Sequence, residues 1–254
     1  MKTLVIIPTY NEIASLPRQV DGVRAIEPHV DILVVDDNSP DGTGEWADAR
    51  ARQDGHVHVL HRPGKQGLGV AYRAGFAWAL EREYERIVEM DADGSHRADD
   101  LPSLLADGGV HDLVIGSRWV RGGSVINWPA HRKLLSTGAN RYVRLALGLA
   151  VRDATAGFRA YRASMLNRLE LDEVESHGYC FQIDMTWRVA QAGGTIREVP
   201  ITFVERDAGN SKMSGAIIRE ALAKVTWWGL LRLFGRKKAA AAPHNEAPPP
   251  QSTS

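Results

Sequence analysis

Two aspartates, Asp91 and Asp93, stand one residue apart directly after residues 87–90, a short apolar run typical of a buried strand. Two carboxylates held this close repel each other, and the repulsion is costly unless a cation joins them. Mg²⁺ keeps most of its waters and usually takes one or two carboxylates together with substrate phosphate oxygens. The pattern therefore predicts a metal site that meets a diphosphate. The alternative is a strand-end turn with two hydrated aspartates.

A second acidic loop, residues 36–43, follows the strand-like run 32–35. One interpretation is a strand–turn–helix joint in which Asp41 or Thr43 caps the next helix. The other is that a carboxylate at the strand end hydrogen-bonds a base or a ribose. Both hold if Asp37 binds a ligand while Asp41 caps the helix.

The glycine-rich segment 64–69 superficially resembles a phosphate-binding loop. Its spacing fits neither a Walker loop nor a dinucleotide fingerprint. The sequence therefore favours a tight turn that leads into a helix.

The segments that must position these loops alternate between two patterns. Short runs rich in β-branched residues predict strands at 4–7, 32–35, 57–60, 87–90 and 113–115, and longer segments predict helices at 13–26, 43–53, 68–83 and 99–106. This alternation predicts an α/β fold with a mainly parallel, doubly wound sheet flanked by helices. Ligands of such sheets bind at the carboxyl ends of the strands, so the loops after the first, second and fourth strands are expected at one site.

The pattern changes after residue 116. A Gly-, Trp- and Arg-rich loop is predicted at 117–129, helices at 131–147 and 181–191, strands at 158–161 and 196–203, and a polar loop at 204–214. An amphipathic helix is predicted at 217–234. From residue 239 the chain is low in complexity and rich in Ala and Pro, so 239–254 is predicted to be a disordered tail.

Charge and composition restrict the class of protein. The net charge is zero, yet segment 115–162 carries nine Arg or Lys residues and one Asp, and segment 206–238 is also basic. This asymmetry predicts an anionic partner, which could be phosphate groups, an anionic membrane or nucleic acid. Nucleic acid ranks last, because the basic segments contain no known nucleic-acid module, and we expect no nucleic-acid partner. The single cysteine, Cys180, fits a reducing compartment. We expect neither a secretory signal nor a membrane-spanning helix.

The motifs occur in a specific order. They are PTYNE at 8–12, VVDDNSPDGT at 34–43, GLG at 67–69, MDAD at 90–93, GSR at 116–118, DATAGFR at 153–159, GYCFQID at 178–184, FVER at 203–206 and SK at 211–212. This set resembles family-2 glycosyltransferases, and in particular dolichyl- and polyprenyl-phosphate mannose synthases. The resemblance covers about residues 2–235.

The resemblance implies a single GT-A domain over residues 1–235. Residues 1–116 would form the nucleotide-sugar half, 117–215 the acceptor half and 216–235 a C-terminal amphipathic helix. The implied reaction transfers mannose from GDP-mannose to a polyprenyl monophosphate with inversion. The product would be a polyprenyl β-mannosyl phosphate, a lipid-linked donor for mannosylation of glycans, glycolipids or proteins.

Site residues are carried over by position. Those expected at guanine and ribose are Pro8, Tyr10, Glu12, Val35 and Asp37. Those expected at the diphosphate and at Mg²⁺ or Mn²⁺ are Asp91, Ala92 and Asp93, with Ser95 as a further, weaker metal or sugar contact. Those expected at the donor phosphates are Arg118, Arg206 and Lys212. Those expected at the acceptor phosphate are Arg118, Arg132 and Ser136. Asp184 occupies the position of a catalytic base in hydroxyl-directed relatives, and its role here is either direct or structural.

The implied chemistry explains the basic segment. A phosphomonoester has a second pKa of about 6 and is largely dianionic at neutral pH, so it needs placement and charge compensation rather than a strong general base. Arg132 is expected to bind phosphate, whereas Arg141 and Arg144 are predicted to form a solvated helix face.

The helix 217–234 either packs on the domain or lies at an anionic membrane interface. The expected location is therefore cytoplasmic and peripheral to the membrane, where a separate membrane protein could anchor the enzyme.

Three alternatives remain. The donor could be UDP-glucose, which would give a glucosyl phosphate. The acceptor could be a hydroxyl of a soluble sugar or a protein, although the paired Arg118 and Arg132 argue against it. The chain could also be a catalytically dead domain that binds sugar nucleotides, against which the intact Asp91 and Asp93 argue.

Overall fold

The computed structural model describes residues 1–107, 109–174, 179–205 and 215–240. The strands are β1 (Thr3–Thr9), β2 (Asp31–Asp36), β3 (Val57–His61), β4 (Arg86–Glu89), β5 (Leu113–Ser117), β6 (Ser124–Ile126), β7 (Arg159–Arg162), β8 (Ile196–Pro200) and β9 (Thr202–Val204). The helices are α1 (Leu16–Ile26), α2 (Thr43–Gln53), α3 (Leu68–Glu81), α4 (Leu101–Leu105), α5 (Ala130–Leu147), α6 (Ala163–Leu166), α7 (Tyr179–Gln191) and α8 (Gly215–Ala240). Two 3₁₀ turns lie at Ala98–Asp100 and Leu171–Glu173.

The main sheet has the strand order β3-β2-β1-β4-β7-β5-β8. The pairs β1–β2, β1–β4, β2–β3 and β5–β8 are parallel, and β7 runs antiparallel between β4 and β5. The predicted mainly parallel α/β sheet is confirmed. The strand order reverses at β1, and a crevice for a ligand forms at such a switch point, at the carboxyl ends of the strands.

Alternating side chains of β1 enter two different cores. Leu4 and Ile6 pack on one face of the sheet with side chains of α3, α5 and α7, whereas Val5 and Ile7 pack on the other face with side chains of α1 and α4. Successive side chains of a strand point to opposite faces, so a strand buried on both faces must be apolar throughout. This explains why the first strand is a continuous apolar run.

The segment predicted as one strand at 196–203 is two strands. β8 pairs with β5 as far as Pro200, and β9 then pairs with β6, which lies in the segment predicted to be a loop. Pro200 has no N–H group to donate, which favours the end of a strand at this point. The change of partner carries Phe203 to the carboxyl end of the main sheet, where it forms a bridge with His96.

α8 packs on the domain and also exposes apolar side chains. Trp228 stacks on Trp187 with 5.4 Å between ring centroids, and the hydroxyls of Tyr142 and Thr226 are 2.7 Å apart. On another side of the helix, Trp227 is 60% exposed.

α8 runs beyond its predicted end at residue 234 to Ala240, and residues 241–254 of the predicted tail lie outside the described residues. None of the described helices is both long and apolar enough to cross a bilayer.

Candidate active site

Three loops meet at the carboxyl ends of β1, β2 and β4. The N–H of Asp37 donates to the carbonyl of Thr9 at 3.0 Å, and the N–H of Glu12 donates to the hydroxyl of Thr43 at 3.0 Å. Asn11 and Asn38 have φ values of 60° and 58°, a conformation that Asn adopts more readily than most residues. The loops after the first two strands are therefore fixed to each other.

Asp41 supports this joint, although Gly42, and not Asp41 or Thr43 as predicted, occupies the N-cap position of α2. Its carboxylate accepts hydrogen bonds from the N–H and the hydroxyl of Thr43, at 3.1 and 2.6 Å, where α2 begins. Its other oxygen accepts the N–H of Ile13 at 3.1 Å. These bonds hold the start of α2 against the loop after β1.

Asp37 lies buried beside a cation that sequence analysis did not identify. The guanidinium of Arg62 donates to Asp37 at 2.5 Å and to the side-chain oxygen of Gln66 at 2.9 Å. Burial raises the pKa of Asp37 more than Arg62 lowers it. The segment 64–69 is a turn into α3, as predicted, and it also places Lys65 with its ammonium 4.3 Å from the ring centroid of Tyr10.

The other residues expected at the base and ribose differ in exposure. Pro8 and Val35 are partners in the β1–β2 register, and the side chain of Val35 is fully buried in the core. Val35 can therefore offer a ligand its backbone only. Glu12 is half-buried, and its carboxylate accepts the hydroxyl of Ser15 at 2.8 Å.

Asp91 and Asp93 follow β4 with Ala92 buried between them. The carboxylate of Asp93 accepts the N–H and the hydroxyl of Ser95, at 3.0 and 2.6 Å. The hydroxyl of Tyr72 donates to Asp91 at 3.4 Å. Ser95 thus orients Asp93, a role that the prediction of a metal or sugar contact did not include.

His96 supports the backbone of this motif. Its Nδ1 accepts the N–H of Asp91 at 2.9 Å, and its ring stacks on Phe158 at 5.1 Å and meets Phe203 edge to face. A Cβ added to Gly157 would lie 3.2 Å from the His96 ring, which shows how closely the chain approaches here. Sequence analysis did not assign a role to His96, although it belongs to the same motif.

A buried acid lies behind Asp91. Glu89 accepts the side-chain N–H of Gln182 at 2.8 Å and is the register partner of Arg159. Burial raises the pKa of Glu89 to about 8. The guanidinium of Arg159 donates to three backbone carbonyls and to Thr186, so it fixes the loop that contains Gly157. Burial therefore favours the protonated form of Glu89, which adds no charge beside Asp91.

The donor set of Asp91 and Asp93 fits Mg²⁺ or Mn²⁺ together with a diphosphate. Over the described residues, no group of three or more His, Cys, Asp or Glu side chains could hold a metal ion. A complete protein cage is thus absent from the part of the chain that the structure describes. Two carboxylates completed by substrate phosphates and water are a common arrangement for Mg²⁺.

Arg118 is buried in a bidentate ion pair. Its Nε and Nη2 donate to the two carboxylate oxygens of Asp153 at 2.8 and 2.7 Å, and Nη2 also donates to Thr155 at 2.9 Å. Burial raises the pKa of Asp153, but Arg118 and the hydrogen bonds outweigh it and hold that pKa below its usual range. The rings of Trp128 and Phe203 lie about 5.5 Å from the guanidinium.

Arg132 lies near the start of α5 and contacts both carboxylate oxygens of Glu205. Its guanidinium carbon is 4.2 Å from the centroid of the Trp128 ring. The pair is partly exposed, with 19% of the Arg132 side chain and 26% of the Glu205 side chain accessible. Arg132 is therefore open to solvent, whereas Arg118 is not.

Arg118, Arg132 and Ser136 line one cavity of about 660 Å³. We call it the α5–α8 cavity, because most of its remaining lining comes from these two helices. The apolar lining residues are Trp128, Leu134, Leu135, Ala139, Tyr142, Val143, Ile183, Ala221, Leu222 and Val225. The structure thus brings the three residues predicted at the acceptor phosphate to one apolar space.

Three further residues were assigned a position or a possible role from the sequence. Arg206 and Lys212 lie outside the described residues. Asp184 is buried on α7, and its carboxylate accepts the Nε–H of Arg188 at 3.0 Å. That bond within the helix favours a structural role for Asp184.

The chain is similar to known proteins over most of its length. The sequence signature of glycosyl transferase family 2 matches residues 4–170. An undecaprenyl-phosphate mannosyltransferase of Micrococcus luteus is 59% identical over 230 residues, which cover 91% of this chain and 95% of the relative. A polyprenol monophosphomannose synthase of Mycolicibacterium smegmatis is 56% identical over 232 residues, which cover 90% of this chain and 87% of the relative.

Solved structures share the fold at low identity. Glucosyl-3-phosphoglycerate synthase of Mycobacterium tuberculosis with phosphoglyceric acid has a TM-score of 0.66 at 20% identity, covering 89% of this chain and 79% of that one. The same enzyme with Mn²⁺, uridine diphosphate and glucosyl-3-phosphoglycerate has a TM-score of 0.61 at 19% identity, covering 92% of this chain and 79% of that one. The predicted GT-A fold is confirmed. The signature over residues 4–170 and the two highly identical relatives show that this chain belongs to glycosyl transferase family 2.

Proposed function

We propose that the protein transfers mannose from GDP-mannose to a polyprenyl monophosphate with inversion, giving a polyprenyl β-mannosyl phosphate. The names of the two highly identical relatives support the sugar and the lipid acceptor. The observation that carries the proposal is the α5–α8 cavity, in which Arg118, Arg132 and Ser136 share one space with apolar side chains. A polyprenyl phosphate has the same two parts, an anionic head and an apolar chain.

The cavity suits such an acceptor along the length of α5. Arg132 and Ser136 lie in the first half of the helix, Tyr142 and Val143 follow in the second half, and α8 adds Val225. Arginine is suited to phosphate because its planar fork of donors matches two phosphate oxygens. The apolar residues would bury the first isoprene units of the lipid, each of which gains free energy by leaving water.

Arg132 must exchange partners when the lipid phosphate arrives. Glu205 holds Arg132 in the structure, and this ion pair is partly open to solvent. A phosphate dianion carries more charge than a carboxylate and has three acceptor oxygens, so it can replace Glu205. Arg118 cannot make the same exchange without leaving Asp153 buried and unpaired. We therefore assign most of the direct contact with the acceptor phosphate to Arg132 and Ser136.

The residues on the donor side would bind and orient the sugar nucleotide and compensate its negative charge. Asp37, oriented by Arg62, would accept hydrogen bonds from the base or ribose. Tyr10, with the ammonium of Lys65 over its ring, would contact the same part of the donor. Asp91 and Asp93 would hold Mg²⁺ or Mn²⁺, which stabilises the charge that develops on the departing diphosphate. Ser95 and His96 keep the two aspartates in place. The acceptor phosphate is already an anion, so this site needs no strong general base.

We infer that the protein works as a peripheral enzyme at the cytoplasmic face of a membrane, alone or held there by a separate membrane protein. Support comes from exposed apolar side chains of α8, among them Leu222, Trp227 and Leu231, beside the cavity that would take the lipid. Within one domain over residues 1–235, residues 1–116 would serve the donor, residues 117–215 the acceptor and residues 216–235 the membrane contact.

The first test is radiolabel transfer from GDP-mannose into organic-extractable lipid, with polyprenyl phosphate and Mg²⁺ or Mn²⁺ supplied and UDP-glucose assayed in parallel. We expect mannose in a mild-acid-labile lipid, dependent on the divalent cation. Transfer of glucose alone would keep the reaction and correct the donor. Transfer from neither donor would contradict the proposal and favour a catalytically dead domain.

Arg132→Ala examines the acceptor site separately. We expect a KM for polyprenyl phosphate at least tenfold higher, from the loss of a charge-assisted hydrogen bond worth ~1.5–3 kcal/mol, with an unchanged KM for GDP-mannose. The matched control is Lys133→Ala, which removes an exposed cation from the adjacent position of α5. Equal losses for the two substrates, or equal effects of the two variants, would count against this role for Arg132.

A further inference from the structure

α5 lines a second cavity on another of its sides. This outer cavity, of about 350 Å³, is lined by Arg141, Arg144 and Arg152 together with Trp119, Thr137 and Asn140. None of its lining residues belongs to the α5–α8 cavity. The two arginines predicted to form a solvated helix face therefore converge with a third, Arg152, from the loop after the helix.

The guanidinium groups of the three arginines form no ion pair within the described part of the chain, although Glu198 accepts the backbone N–H of Arg152 at 2.8 Å. Among the described residues, no Asp or Glu oxygen lies within 4 Å of their guanidinium groups. Arg144 is in the last turn of α5, where a cation offsets the partial negative charge of the helix end. That effect accounts for one arginine and leaves the convergence of the other two unexplained. Three like charges around one concave space favour an anion there.

Two residues that line the outer cavity each have a buried polar atom without a partner among the described residues. Asn140 is 3% exposed, and its Nδ2 donates to the carbonyl of Ser136 and to Thr155, while its Oδ1 has no partner among the described atoms. The Nε1 of Trp119 is buried without a partner as well. Buried polar groups in folded proteins are nearly always hydrogen-bonded. A ligand with both hydrogen-bond donors and acceptors, such as a phosphate that bears a glycerol or another polyol, would satisfy both atoms.

The surroundings of the outer cavity are apolar and exposed. Leu145, which also lines it, is 69% exposed, and Leu134 on the same helix is 75% exposed. α8, which packs against α5, exposes Trp227 and Leu231. Cations interleaved with exposed Leu and Trp are typical of a surface that meets an anionic bilayer. A soluble phosphate compound would gain nothing from these leucines, whereas the acyl chains of a lipid would cover them.

We propose that the outer cavity binds the phosphate head group of an anionic membrane lipid other than the acceptor. Arg141, Arg144 and Arg152 compensate the phosphate charge, and Leu134 and Leu145 enter the acyl region beside it. Since α5 also lines the α5–α8 cavity, a lipid bound here would hold that cavity at the bilayer surface. Lipid binding at the outer cavity is separate from the transfer reaction and needs no bound donor.

The test is co-sedimentation of the full-length protein with phosphatidylcholine vesicles that contain or lack phosphatidylglycerol. The variant Arg141→Gln/Arg144→Gln removes two cations of the cavity, and Arg18→Gln/Arg52→Gln removes two exposed arginines from α1 and α2. Each arginine near an anionic surface contributes about fivefold in affinity, so the first variant should bind about 25-fold more weakly. The control variant should bind the anionic vesicles as wild type does. Equal weakening of both variants, or of neither, would overturn the proposal.

Two further measurements separate this site from its rivals. Glycerol phosphate without vesicles should bind weakly to wild type, and tight binding that Arg141→Gln/Arg144→Gln abolishes would identify a soluble phosphate ligand instead. Mannosyl transfer to detergent-dispersed polyprenyl phosphate needs no bilayer and should be the same in this variant and in wild type. A loss of transfer there would assign the arginines to the acceptor site. Failure of transfer in wild type, with vesicle binding as expected, would refute only the proposed reaction.

Discussion

Arg118→Met tests whether the buried ion pair between Arg118 and Asp153 serves the fold or the substrate. The side chains of Arg118 and Asp153 are 5% and 0% exposed, and the variant leaves the Asp153 carboxylate buried without its cation. Breaking a buried ion pair by removing one partner costs ~3–5 kcal/mol. In a chain of this size 1 kcal/mol shifts Tm by about 2–4 °C, so the expected loss in Tm is about 6–20 °C.

The assay is thermal and urea unfolding followed by circular dichroism, with Arg132→Met as the matched control. The Arg132–Glu205 pair is 19% and 26% exposed, and ion pairs open to solvent contribute ~1 kcal/mol or less. We therefore expect Arg132→Met to unfold within a few degrees of wild type. The two arginines predicted at the same phosphate thus separate into one that holds the structure and one that is available to a ligand.

The double variant Arg118→Met/Asp153→Asn isolates the ion pair. Removing both charges should recover ~2 kcal/mol or more relative to Arg118→Met, because the unpaired buried carboxylate is what destabilises that variant. The lowered pKa of Asp153 means that its stabilising effect is present above the unfolded value of 3.8 and is lost as the pH falls through its folded pKa. Two results would refute this role of the ion pair: unfolding of Arg118→Met like wild type at neutral pH, or a double variant that is no more stable than the single one.

Three more results are expected. Asp93→Ala should abolish transfer with little change in Tm, and normal turnover would contradict the metal assignment. Burial raises the pKa of Glu89 to about 8, against 4.5 in the unfolded chain, so the Tm of wild type should fall as the pH rises from about 5 to 8. Glu89→Gln should remove this pH dependence, and the Tm of the variant should stay level over the same range. Gly75→Ala should lower the free energy of unfolding in urea by ~1–3 kcal/mol, because the added Cβ would lie 2.8 Å from the side chain of Ile6. Gly138→Ala should raise it by ~0.5–1 kcal/mol, because no atom lies within 4 Å of the added Cβ.

Most strands and helices, including all five strands from β1 to β5, could be predicted because their causes are local. The apolar run of β1, the start of α2 at Thr43 and the turn at Gly67 depend on residues adjacent in sequence. The division of segment 196–203 could not be predicted in the same way. Its residues have strand propensity throughout, and the boundary is set by a change of partner from β5 to β6, which no local pattern encodes.

The residues of the candidate site also fall into those that local sequence predicts and those that only long-range contacts identify. Asp91, Asp93 and Asp37 were identified because acidic residues after strands form short motifs. Arg62 was missed, since a lone arginine after a strand has no distinctive spacing, and its significance comes only from its contact with Asp37, 25 residues away in sequence. His96 was inside a recognised motif, yet its role depends on the rings of Phe158 and Phe203.

The sequence alone determined the order of strands and helices from β1 to β5, the acidic motifs at the strand ends and the family resemblance, because periodicity and motif spacing are local properties of the chain. Tertiary structure decided the partner of each charge. It paired Arg118 with Asp153, 35 residues away in sequence, and Arg132 with Glu205, 73 residues away. It also placed α8 against α5, which created the α5–α8 cavity and left Arg141 and Arg144 around a second one. A helical period shows which side chains share a face, but only packing decides what that face meets.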